Sequence, residues 1–256
     1  RVLFRSVVED TLKALQDLAH AVRKAAGTRV IAITGSAGKT TTKETIAEFL
    51  SARYRVVKNK GNLNNHIGLP LSLLQLRSKP DVAVMELGMN HSGEISTLVA
   101  IAEPDVRVWT NVGDAHLGFF ASPDAIADAK AEILERATPD TLLVYNADDP
   151  RVTARIGAFI GRTRSFGIAA PADVRAEQVE DRGVRGMRAQ ITTRAGDATL
   201  DTPLLGRGNL ANVLAATAVG IDFGVSLDDM VARASRLTPA DRRGAVRRLR
   251  DGIILI

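Results

Sequence analysis

The chain has 256 residues, 45% of them hydrophobic, enough to bury one large core or two smaller ones. It has no cysteine, which excludes a disulfide framework and thiolate metal sites and fits a reducing compartment. The formal net charge is +5 and seven arginines lie between Arg233 and Arg250, yet aromatics make up only 4% of the chain. Stacking platforms for single strands are therefore scarce, and a solvated basic face or an anionic nucleotide ligand is expected rather than a nucleic-acid partner. No apolar run approaches the roughly 20 residues that span a bilayer. Arg1-Val2-Leu3-Phe4-Arg5 is too short and too charged for a secretory signal, so a cytoplasmic protein without membrane insertion is expected.

Along the chain, Val7, Leu12, Leu15, Leu18, Ala19 and Val22 fall at helical spacing and predict a helix over 6–26. Strands are predicted at 29–34, 54–58, 81–87, 106–112 and 141–146, alternating with helices at 39–51, 65–76, 93–102 and 122–137. Near-continuous apolar strands alternating with helices argue an α/β fold, a mostly parallel sheet covered on both faces. From 162 to 203 the texture changes to short alternating segments, Arg162–Phe166, Val174–Val179 and Met187–Thr193, which predict a small antiparallel extension. Helices are predicted again at 209–220 and 226–237, and the chain ends in a hairpin of Ala245–Leu249 and Ile253–Ile256. No internal repeat is visible.

The densest chemical signal is Thr34-Gly35-Ser36-Ala37-Gly38-Lys39-Thr40-Thr41, set between the first predicted strand and the helix after it. A strand running through a glycine-rich turn into a helix is the geometry of a phosphate-cradling loop. Gly35 and Gly38 let backbone amides turn toward an anion, Lys39 supplies a cation for the β- and γ-phosphates, and Thr40 offers a hydroxyl to Mg²⁺. The usual pattern starts with a glycine where this chain has Thr34, so the loop is the shorter form.

Glu86 ends the third strand, where open α/β sheets bind ligands, and can complete a Mg²⁺ site with Thr40. His116 follows the fourth strand within Thr110-Asn111-Val112-Gly113-Asp114-Ala115-His116 and is a ligand candidate. Beyond Lys79 the chain has nineteen arginines and a single lysine, Lys130. A neutral amine can react with carbon dioxide to give an anionic carbamate ligand, which a guanidinium cannot do; the alternative is a solvated lysine on an amphipathic helix. Residues 58–70 are rich in amides: Asn62, Asn64 and Asn65 suit a polar ligand, and Asn64 or Asn65 also suits a helix N-cap. Asn209 and Asn212, three apart, share a helix face fit for a ribose or base edge.

In this order, the shortened loop, Glu86-Leu87-Gly88, Asn111 through His116, Ala129-Lys130-Ala131-Glu132, Asn146-Ala147-Asp148-Asp149-Pro150 and Asn209-x-x-Asn212 resemble the ATP-dependent Mur ligases of peptidoglycan synthesis. The resemblance covers about 28–256, the central P-loop ATPase domain, with 1–27 as the helical tail of an N-terminal UDP-binding domain and no C-terminal domain. Gly61 through Pro70 and Glu86 through Ile95 look most like the member that adds D-alanyl-D-alanine to UDP-N-acetylmuramoyl-tripeptide, a partner pair handled by a monomer. The resemblance implies ATP and Mg²⁺. Residues 34–41, Asn209, Asn212 and Arg243 would hold the nucleotide. Thr40 and Glu86 would bind one Mg²⁺, and His116 and carbamylated Lys130 a second. Asn62, Asn64, Asn65 and Asn111 would meet the sugar-peptide, and Lys39, Glu86, His116 and Lys130 would form the catalytic set. The rival readings are another amide ligase of the superfamily, such as a folylpolyglutamate or cyanophycin synthetase, a nucleotide-dependent switch or transport ATPase, and a non-catalytic nucleotide-binding piece; these 256 residues by themselves are expected to bind nucleotide with little or no ligase activity.

Overall fold

The computed structural model describes residues 7–113 and 118–239, together with the backbone of two short strands further on. The first half alternates: α1 (Thr11–Ala26), β1 (Arg29–Thr34), α2 (Lys39–Leu50), β2 (Val56–Lys58), α3 (Gly68–Leu73), β3 (Val82–Glu86), α4 (Glu94–Ala102), β4 (Val106–Trp109), α5 (Pro123–Ala131), β5 (Leu142–Asn146) and α6 (Pro150–Thr153). Then come β6 (Arg162–Gly167), β7 (Val174–Asp181), β8 (Met187–Thr193), β9 (Gly196–Thr202), α7 (Gly206–Asp222) and α8 (Leu227–Ala234). The last two strands, β10 (Arg247–Arg248) and β11 (Ile254–Leu255), pair antiparallel, as the predicted terminal hairpin requires. No helix of the described residues is long and apolar enough to cross a membrane.

Among the described residues, nine strands form one sheet in the order β2-β3-β1-β4-β5-β6-β7-β8-β9. Residues alternate between its faces. Ile31, Ile33, Val82 and Val84 pack with Ile46, Phe49 and Leu50 of α2 and Val213 and Leu214 of α7. Val30, Ala32, Ala83 and Met85 pack with Ala19 of α1, Leu69 and Leu73 of α3, Ile95 and Leu98 of α4 and Ile126 of α5. Both faces of the sheet from β3 to β4 are thus covered, which is why these parallel strands read as continuous apolar runs.

Two expectations are corrected. Helix α1 begins at Thr11, not at residue 6, because the Asp10 carboxylate accepts from the Leu12 and Lys13 amides at 2.8 and 3.0 Å and caps the first turn. The antiparallel extension begins later than expected, since β6 runs parallel to β5 from Leu142↔Arg162 to Asn146↔Phe166. The crossover helix α6 has only four residues, too short to show a helical period. Strand β7 still joins β6 in parallel over two pairs, and only β7-β8-β9 form the antiparallel part.

Strand β1 lies between β3 and β4, and the chain reaches these neighbours in opposite directions from it. In an open α/β sheet the crevice at the carboxyl ends of such strands is where a ligand sits. Thr34, Glu86 and Trp109 mark those ends.

Candidate nucleotide-binding site

Residues 35–38 turn the chain from β1 into α2, whose first-turn amides face the crevice. Two contacts require glycine. A Cβ on Gly35 would lie 1.9 Å from Thr110 Oγ1, and one on Gly38, at φ +82°, would lie 2.2 Å from Asn212 Oδ1. The segment after β4 braces the turn: Ser36 N donates to the Asn111 carbonyl at 3.0 Å, Ser36 Oγ to the Gly113 carbonyl at 3.1 Å, and Thr110 Oγ1 to the Ala37 carbonyl at 2.8 Å. Asn111 accepts from Ala37 N at 2.9 Å and donates to Ala37 O at 3.1 Å. Both polar atoms of its side-chain amide therefore grip the loop. Lys39 Nζ donates to the Gly35 carbonyl at 2.7 Å, and Thr41 lies two residues further into α2, its carbonyl accepting from Thr45 Oγ1 at 2.9 Å.

Glu86 is the centre of the crevice and is only 4% exposed. One carboxylate oxygen accepts from Thr40 Oγ1 at 2.9 Å, the other from Asn64 Nδ2 at 3.0 Å. Asn64 thus faces Glu86, while Asn65 Oδ1 accepts from Ile67 N and Gly68 N at 3.2 and 2.8 Å and caps the start of α3. Both residues line the same cleft, and Asn65 caps the helix as well. Two further residues escaped the sequence reading. Asn59, 1% exposed, accepts from Glu86 N at 3.0 Å and donates to Glu86 O at 3.1 Å and Leu63 O at 2.9 Å. Lys43, equally buried, donates to the Asn59 carbonyl at 2.9 Å and lies 3.9 Å from Glu86 Oε2. Its signal was its spacing: Thr40 and Lys43 are three apart on α2 and share the face that meets Glu86.

Lys130 is not a solvated surface lysine, being 1% exposed near the end of α5. Burial, and then the charge of Lys39, push its pKa down to about 7. Asn212 Oδ1 accepts from Thr42 Oγ1 at 3.2 Å beneath Gly38, and its Nδ2 donates to Asn209 Oδ1 at 3.3 Å. Asn209 in turn donates to the Leu205 carbonyl at 2.9 Å, so this pair ties the start of α7 to the start of α2. The Asn146–Pro150 motif fastens neighbouring strand ends. Asn146 donates to Thr110 O at 2.9 Å, and Asp149 accepts from Val112 N at 2.7 Å. An open cleft of about 410 Å³ is lined by Lys39, Asn62, Asn64, Asn65, His66, Glu86, Gly88, Met89, Asn90 and Glu94. His116 and Arg243 lie outside the described residues.

A glycine turn between a parallel strand and a helix, with a threonine-bound carboxylate from the neighbouring strand, defines a P-loop nucleotide-binding domain. Comparison narrows the class: the Mur ligase middle domain family matches residues 33–220, and the chain belongs to it. UDP-N-acetylmuramoyl-tripeptide–D-alanyl-D-alanine ligase of Bacillus subtilis is 38% identical over 250 residues, 98% of this chain and 53% of the relative. A crystal structure of MurF from Acinetobacter baumannii superposes with a TM-score of 0.90 at 36% identity, covering 96% of this chain and 54% of that one. MurF ligase from Thermotoga maritima in complex with ADP gives 0.86 at 29% identity, over 99% of this chain and 59% of its own. The chain spans about half the length of the curated relatives it matches.

Proposed function

We propose that this chain is the phosphoryl-transfer part of an ATP-dependent amide ligase that joins D-alanyl-D-alanine to UDP-N-acetylmuramoyl-tripeptide, the reaction for which its Bacillus subtilis and Escherichia coli relatives are named. The observation that carries the reading is the Thr40–Glu86 pair at the mouth of the glycine loop, with an amide-lined cleft opening on the same carboxylate. A hydroxyl and a carboxylate are the hard oxygen donors that Mg²⁺ takes, so the residues present fit that ion. Thr40 and Glu86 would hold one Mg²⁺, with His116 and a carbamate on Lys130 holding a second. Bound there, the ions would draw charge off the phosphate oxygens.

The chain's own groups position the reactants. Loop amides and Lys39 receive the anionic tail of ATP, and Asn62, Asn64 and Asn65 face the sugar-peptide. The peptide carboxylate oxygen bonds to the γ-phosphorus as its bond to ADP breaks, giving an acyl phosphate. The dipeptide amine then bonds to the acyl carbon, and phosphate leaves with release of a proton. Such chemistry needs alignment and charge stabilisation, and no nucleophilic side chain. At neutral pH the depressed pKa of Lys130 leaves a large share of neutral amine, which adds carbon dioxide to give a carbamate and a proton.

The test is ADP release by the natural protein carrying this sequence, with each substrate supplied or withheld. Release should need both UDP-tripeptide and D-alanyl-D-alanine, and Lys130→Arg should lower it by about a hundredfold or more. ATP turnover that needs neither substrate would sink the ligase reading, and full activity in Lys130→Arg would remove the carbamate from it.

A further inference from the structure

The cleft wall that follows β3 is held from a distance. Gly88, Met89, Asn90 and Glu94 line the cleft beside Lys39 and Glu86. The helix that Glu94 opens, α4, starts behind Gly93, at φ +87°, which has no side chain to cap it. First-turn amides of a helix need an acceptor from elsewhere. Glu132 supplies it from beyond the end of α5. Its Oε1 accepts from Gly93 N at 2.6 Å and Ser92 Oγ at 3.2 Å, and its Oε2 accepts from Ser96 N at 3.0 Å. Glu135 adds a contact, accepting from Ser96 Oγ at 2.6 Å. The negative charge also suits the positive end of α4. Glu94, by contrast, turns back on its own loop and accepts from Asn90 N at 2.6 Å and His91 N at 3.2 Å. The loop is therefore tied to itself by Glu94, to the 59–65 loop at its start by the bond from Gly88 N to the Asn64 carbonyl, to Phe119 by the His91 ring, and to the segment after α5 at its end by Glu132. Two residues before Glu132 in the same segment is the buried Lys130. One helix end thus fixes both Lys130 and the cleft wall.

We propose that Glu132 is a positioning residue that holds the 88–94 wall in register with the phosphate loop and so sets affinity for the sugar-peptide carboxylate substrate without touching the nucleotide. This rests on the ligase reading. Glu132→Gln keeps the shape but turns one acceptor into a donor facing an amide. In the natural protein it should raise KM for UDP-tripeptide about tenfold, with KM for ATP within about twofold. Deuterium exchange at Gly93 and Ser96 should quicken while α2 is unchanged. Ser92→Ala, at an exposed position, should raise the same KM about threefold to fourfold, and it serves if Glu132→Gln folds poorly. Unchanged KM for the peptide substrate in both variants, or a parallel rise in both KM values, would overturn the proposal. A wild-type protein that fails to ligate would instead sink the ligase reading. The exchange measurement then decides alone: unaltered protection of Gly93 and Ser96 in Glu132→Gln overturns the role of Glu132, and faster exchange supports it.

Discussion

The two sides of Glu86 are held by different physics. On the side of the phosphate loop, backbone packs against backbone and short side chains, with Gly35 against Thr110 and Gly38 against Asn212. On the side of the cleft, one backbone bond from Gly88 N to the Asn64 carbonyl joins the loops at 59–65 and 88–94, with Gly88 close against Asn64, and the rest of their hold comes largely from polar side chains: Asn59, Asn64, Glu94 and Glu132. Close packing fails abruptly when an atom is added. A polar anchor fails by one hydrogen bond at a time. The first arrangement suits a ligand part that does not vary, such as a triphosphate, and the second suits a part on which specificity can be adjusted.

Substitution of Gly38 by alanine is the hardest test of this contrast. The new Cβ would meet the Asn212 side chain at 2.2 Å, and φ +82° is strained for any residue with a Cβ. Asn212 is 6% exposed and bonded to Thr42, so it has little room to yield. Stability should fall by about 3 kcal/mol in urea unfolding, and ATP-analogue affinity by about a hundredfold. A variant that binds nucleotide normally would show that the loop tolerates adjustment as readily as the cleft.

Lys130 belongs to the close-packed side, and its buried amine gives that side a pH dependence. Its folded pKa, about 7, lies below the 10.5 of an exposed lysine. Between these values the unfolded chain holds the extra proton, so stability rises with pH across that window, and the full cost of the buried charge is present below pH 7. Lys130→Met should flatten this, removing roughly 2–3 kcal/mol of difference between pH 6 and pH 9 in denaturant midpoints read at each pH. If the variant kept the wild-type slope, Lys130 would not be the group that titrates.

What could be read from sequence follows the same divide. The phosphate loop, the parallel strands and Glu86 at a strand end are local patterns, in which spacing in the chain is spacing in space. The partners of Asn59 and of Glu132, the latter quoted only as part of the Ala129–Glu132 motif, are not legible, because Asn59 meets Glu86 27 residues away and Glu132 meets Gly93 39 residues away. An asparagine in an amide-rich loop or a glutamate at a helix end has no pattern of its own; only the fold supplies its partner. Lys43 lies between these cases, its spacing from Thr40 visible but its partner, the Asn59 carbonyl, not. The sequence predicts the wrong direction for β6 for a similar reason, since its four-residue crossover leaves no period.

Asn111 separates the two sides most finely, at the smallest expected cost. By sequence it belongs with the sugar-peptide contacts; in the structure both of its amide atoms are bonded to Ala37 of the phosphate loop. Asn111→Ala removes two hydrogen bonds at a half-buried position where water can replace part of what is lost, so the effect should be about 1 kcal/mol. If Asn111 acts through the loop, the loss should fall on the nucleotide, with KM for ATP raised about fivefold and KM for the peptide substrate unchanged. If it acts on the sugar-peptide, the split should reverse. Because Ser36 N still bonds the Asn111 backbone carbonyl in the variant, the loop keeps its outline, and the split reports the side chain alone.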